Sequence, residues 1–128
     1  MNEWGYRNFG NTNKEEETMN RQQVIKALKD MAKALASEGT TTFLATTMTQ
    51  SPENISKALI AVKDIMEKGE FKGAEVIGVH LEGPFISTKH IGAQPLDYVA
   101  SPSVEIFKNY LIVFRVDYTH LYLRFYEA

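Results

Sequence analysis

The 128 residues are 44% hydrophobic and carry a formal net charge of -2, with an isoelectric point near 5.9, which suits one small domain around a single core. That balance gives no basic field, so nucleic acid and anionic membrane are not expected partners. With no cysteine, the chain has neither a disulfide framework nor a thiolate metal site, which fits a reducing cytoplasm, and no apolar run approaches the roughly 20 residues of a bilayer span.

In chain order, residues 1–17 read as a polar arm, with Trp4, Tyr6 and Phe9 at no helical spacing and an acidic Glu15-Glu16-Glu17 unlike a signal peptide. Val24, Ile25, Leu28, Met31, Ala32 and Leu35 then recur at helical spacing opposite Lys26, Lys29, Asp30 and Lys33. Gly39 follows as the left-handed stop. Thr40 to Met48, threonine-rich around Phe43-Leu44-Ala45, suits a buried strand. Ser51-Pro52-Glu53 has the form of a helix start: a capping hydroxyl, a residue with no amide hydrogen to orphan, and an acid that complements the dipole. The helix it opens carries Ile55, Ala58, Leu59, Val62, Ile65 and Met66 on one stripe and stops at Gly69.

A second apolar strand is predicted over Glu75 to Leu81, followed by a loop from Glu82 to Val99. Ser101-Pro102 repeats the cap-then-proline pattern and is expected to open a short helix through Ile106, Phe107 and Tyr110. Continuous apolar strands joined through helices imply an α/β fold with parallel strands. Residues 111–128 are dense in Leu, Ile, Val, Phe and Tyr, broken by Arg115, Asp117 and Arg124, and fit strand or helix equally.

Glu82 stands out chemically. It sits where the apolar run Val76-Ile77-Gly78-Val79 breaks into Gly83-Pro84, and an acid ending a buried strand costs several kcal/mol, roughly, unless a cation or hydrogen-bond donor meets it. Without context it would read as a solvated or turn-capping acid. His80 lies two residues earlier, on the same face of a strand, and reads as a hydrogen-bonded supporting or core histidine rather than a ligand. His90, beside Lys89, reads as exposed or as the edge of a substrate site. The threonines of 40–42 and 46–47 are strand formers with no visible base to make them nucleophiles.

Three strings together carry a resemblance: Gly39-Thr40-Thr41-Thr42-Phe43-Leu44-Ala45-Thr46-Thr47, then Gly78-Val79-His80-Leu81-Glu82-Gly83-Pro84-Phe85-Ile86-Ser87, then Gly92-Ala93-Gln94-Pro95. Over residues 18–110 the chain resembles the N-acetylglucosamine-6-phosphate deacetylases, metal-dependent amidohydrolases. The resemblance implies a partial (β/α)8 barrel made of two βα units and a preceding helix. It implies hydrolysis of the acetamide of an amino-sugar phosphate, N-acetylglucosamine 6-phosphate, in the cytoplasm. It also implies Glu82 as a ligand of a divalent metal (zinc, iron or manganese), and a substrate-binding stretch at Gly92, Ala93 and Gln94.

The same resemblance marks what this sequence lacks. The family brings a His-x-His pair on its first strand, further metal-binding histidines and a late proton-handling aspartate, and none of these is matched here, so no residue is assigned as catalytic. One carboxylate does not supply the roughly three or four ligands of a zinc-type site. Thr119-His120-Leu121-Tyr122 echoes a later family segment, but Leu123-Arg124-Phe125 replaces its continuation, and His120 is not taken as a ligand. The flanks, 1–17 and 111–128, do not resemble the family, as a truncated or frame-disrupted reading of a longer gene would leave them. The isolated chain is therefore expected to be inactive and to self-associate. The alternative reading is a non-enzymatic remnant that acts as an interaction or oligomerisation module through its apolar C-terminal segment.

Overall fold

A computed structural model describes residues 14–69, 72–114 and 121–124. Helix α1 spans Lys14–Ser37 and so begins inside the stretch read as a polar arm. Residues 1–13 lie outside the described residues. At the other end, Thr40 donates its amide to the Leu35 carbonyl (3.0 Å) and Gly39 to that of Ala36 (3.1 Å), the paired bonds of a Schellman stop, with Gly39 at φ 90°. The buried stripe of α1 is narrower than its spacing predicts: Leu28 and Ala32 are buried, whereas Met31 is 49% exposed. The cause lies outside the helix. The Gly73-Ala74 loop rests on its backbone, Ala74 donating to the Ala32 carbonyl at 2.9 Å, and that contact selects the Ala32 side as the inner one.

Strand β1 (Thr42–Thr47) leads to α2 (Pro52–Lys68), where the Ser51 hydroxyl accepts from the Asn54 amide, Pro52 opens the first turn and Gly69 closes the last, as predicted. Strand β2 covers Glu75–Glu82. Two short 3-10 turns, Thr88–His90 and Leu96–Tyr98, interrupt the loop beyond it. Helix α3 (Val104–Phe114) is capped by Ser103 rather than Ser101: the Ser103 hydroxyl accepts from the Ile106 amide at 3.3 Å and its carbonyl from Phe107 at 3.1 Å. Pro102 thus precedes the cap instead of coming after it. The segment left open between helix and strand contains both, since α3 runs on to Phe114 and β3 occupies Leu121–Arg124. His120 lies outside the described residues.

The sheet order is β1-β2-β3, and both pairings are parallel, Thr47 lying opposite Leu81 and Glu82 opposite Arg124. A register irregularity after Phe43 leaves Ile77 as an extra residue, 38% exposed. Helix α2 packs against β1 and β2 and lies between α1 and α3. Its Ile55, Leu59, Val62 and Ile65 form one cluster with Ala45, Val79, Leu81 and Tyr110. Each such aliphatic side chain contributes about 1.5–3 kcal/mol by burial. Asp64, buried on the same helix, is paired with Arg21 of α1. The described chain is thus an α/β layer with parallel strands, and parallel pairing puts Thr47, Glu82 and the loops beyond them on one edge.

Candidate functional site

Glu82 is the last residue of β2, half-buried, on the edge where β1 ends. The turn after it is shaped by a close approach of the chain. Gly83 has φ +82°, and a Cβ built on it would lie 2.0 Å from the Thr49 hydroxyl and 3.0 Å from the Thr49 Cα, so only glycine lets the loop after β1 approach this closely. The Pro84 carbonyl accepts from Ile86 (3.1 Å) and from Ala100 (2.9 Å), which ties the far end of the loop back to its start.

Within that loop Gln94 returns to the strand ends. Its Nε2 donates to Glu82 Oε1 at 3.4 Å, and its Oε1 accepts from the Thr49 amide at 2.9 Å. A pocket of about 580 Å³ opens here, lined by Glu82, Gly92, Ala93 and Gln94 together with Thr46 and His90. Four residues singled out in the sequence therefore meet at one cavity. Gln94 lines this pocket while its amide also reaches the carboxylate. His80 is half-buried with Nδ1 3.4 Å from the Thr46 hydroxyl, and His90 is exposed at the rim.

Thr49 is the residue that sequence reasoning missed. It is 1% exposed and its backbone orients Gln94, yet nothing in Met48-Thr49-Gln50 marks it, because its role arises only when parallel pairing sets the end of β1 beside Gly83. As a donor set the site is partial. Glu82 is the one acid among the described lining residues, and no group of three or more His, Asp or Glu side chains among the described residues is placed to hold a metal ion. Glu82 fits as a single ligand, and the described residues do not complete a coordination sphere around it.

A carboxylate at the carboxyl end of a parallel strand, above a pocket built from the adjoining loops, is where parallel α/β proteins place ligand and active sites. The described fold is thus a segment of a parallel α/β protein with a candidate ligand site at its carboxyl edge. Known proteins narrow the class. No profile of a known family matches the chain, but it is 48% identical over 82 residues to the N-acetylglucosamine-6-phosphate deacetylase of Bacillus subtilis (strain 168), covering 62% of this chain and 21% of that protein. It is 47% identical over 73 residues to the deacetylase of the same name from Lysinibacillus sphaericus, covering 57% and 19%. The corresponding protein of Rattus norvegicus is 39% identical over 84 residues, covering 66% and 20%. The chain is similar to one segment of N-acetylglucosamine-6-phosphate deacetylases and spans about a fifth of the length of these curated relatives.

Proposed function

We propose that this chain is a partial N-acetylglucosamine-6-phosphate deacetylase and that residues 18–110 supply the Glu82 edge of the active site in a (β/α)8 barrel. The reaction is hydrolysis of the acetamide of N-acetylglucosamine 6-phosphate to glucosamine 6-phosphate and acetate, in the cytoplasm. A divalent metal, zinc, iron or manganese, when bound supplies the Lewis acid of such a hydrolysis. Glu82 gives that metal one oxygen donor, and Gly92, Ala93 and Gln94 form the substrate wall of the pocket. The observation that carries the reading is the convergence of Glu82, Gly92, Ala93 and Gln94 on one cavity at the carboxyl edge of the strands.

Among its described lining residues the pocket offers one carboxylate, so the chain by itself holds metal weakly and does not turn over substrate. Weak binding still locates the site. Titrating manganese into labelled protein should broaden the amide resonances of Gly92, Ala93 and Gly83 first, and Glu82→Gln should abolish that pattern. Broadening centred on the acids of the helices, or indifferent to Glu82→Gln, would overturn the assignment.

A further inference from the structure

We propose that Gln94 is a positioning residue for Glu82, holding one carboxylate oxygen so that the other alone is presented to a ligand. This rests on the reading of Glu82 as an active-site acid, but the contacts that support it are independent of any activity. Gln94 is bonded at both ends of its amide: Thr49 N donates to Oε1 at 2.9 Å, and Nε2 donates to Glu82 Oε1 at 3.4 Å. The first bond settles which end of the amide is which. A backbone N–H can meet only the carbonyl oxygen, so the NH2 group must face the acid.

Thr49 is itself held firmly. It is buried at 1% exposure, and the missing side chain of Gly83, the residue after Glu82, is what admits its hydroxyl. The anchor that orients Gln94 therefore also abuts the backbone that carries Glu82, and the two fix the carboxylate from its side chain and from its main chain. Among the side chains described, Gln94 is the one bonded to the Glu82 carboxylate. A carboxylate engaged at one oxygen by a neutral donor is restricted in rotation and offers the other oxygen as a single donor, as outer hydrogen bonds orient ligands in metal sites. Glutamine suits this task because it adds no charge that would compete for the acid.

The two ends of the amide can be separated in the full chain by nuclear magnetic resonance, without metal or substrate. Gln94→Glu, read at a pH at which both carboxylates are ionised, keeps an oxygen for Thr49 and removes the donor to Glu82; Gln94→Ala removes both. The expected result is a shifted Glu82 carboxyl carbon resonance in both variants. Thr49 amide exchange should be close to wild type in Gln94→Glu and roughly 3- to 10-fold faster in Gln94→Ala, the loss of one neutral hydrogen bond. A complementary measurement covers the case in which Gln94→Ala does not fold: in otherwise wild-type protein, Glu82→Ala should move the Gln94 side-chain NH2 resonances. A Glu82 carboxyl signal unmoved in Gln94→Glu, or Gln94 NH2 signals unmoved in Glu82→Ala, would overturn the proposal and reduce Gln94 to a tie on the Thr49 loop. Neither result touches the deacetylase reading, which fails separately if manganese broadening ignores Glu82.

Discussion

Gly83→Ala probes the junction on which the site depends. Two costs add. A side chain at φ +82° is in the left-handed region, at about 1–2 kcal/mol. Its Cβ would also lie 2.0 Å from Thr49 Oγ1 and 3.0 Å from Thr49 Cα and Cβ, and because Thr49 is 1% exposed it cannot swing into solvent. Relieving that overlap costs about 1–3 kcal/mol more. The expected loss is therefore roughly 2–5 kcal/mol, read as a lowered urea midpoint with unchanged slope. Thr49→Ala should by itself cost little in hydrogen bonding, since the buried hydroxyl has no partner among the described residues. Combined with Gly83→Ala it removes the closest clash but leaves the backbone strain and the 3.0 Å contacts. The double variant should thus recover about 1–2 kcal/mol relative to additivity. Gly83→Ala within about 0.5 kcal/mol of wild type, a change typical of surface sites, or strict additivity with Thr49→Ala, would refute the close approach and with it the account of how Glu82 is aimed.

Leu59, fully buried in the central helix, should cost about 2–5 kcal/mol when replaced by Ala, measured by the same unfolding curves. At acid pH a smaller effect is expected from the Lys26–Asp30 pair of α1, 2.6 Å apart. The Lys26 hydrogen bond, and then its charge, holds the Asp30 carboxyl below its ordinary value. Its stabilisation is present above the unfolded aspartate pKa and is lost as pH falls through the lower folded value. Asp30→Asn should flatten that part of a melting-temperature profile, and only that part. Self-association is expected through the apolar segment that begins at Leu111, where Ile112 is 66% exposed; sedimentation should show concentration dependence that Ile112→Lys weakens.

Local chemistry was legible in the sequence wherever a residue acts on its own neighbours in the chain. Ser51-Pro52 and Gly39 bound helices through hydroxyl and backbone geometry that span a few residues. The stripe from Ile55 to Ile65 reports its own burial through its period. Glu82 was legible because the break from apolar strand into Gly83-Pro84 is itself a local signal. Met31, Ser103 and Thr49 were not, for one shared reason: each is decided by a part of the chain distant in sequence or by a choice between adjacent equivalents. Met31 falls outside because the 73–74 loop lands on Ala32, the two serines around Pro102 are equally able to cap, and Thr49 becomes an anchor only when β1 and β2 align. The Leu111 to Arg124 stretch resisted placement because an apolar run broken at Arg115, Asp117 and Arg124 carries neither helical nor alternating period, and it holds part of a helix and a whole strand.

The most direct test of the central claim grafts residues 18–110 of this chain in place of the matching segment of the Bacillus subtilis deacetylase. It then measures acetate release from N-acetylglucosamine 6-phosphate in the presence of zinc, iron or manganese. The account predicts a folded chimera that releases acetate and loses at least about a hundredfold in rate on Glu82→Gln, the scale expected when a ligand that organises a metal site is removed. A folded chimera that releases no acetate, or one whose rate is indifferent to Glu82→Gln, would contradict it.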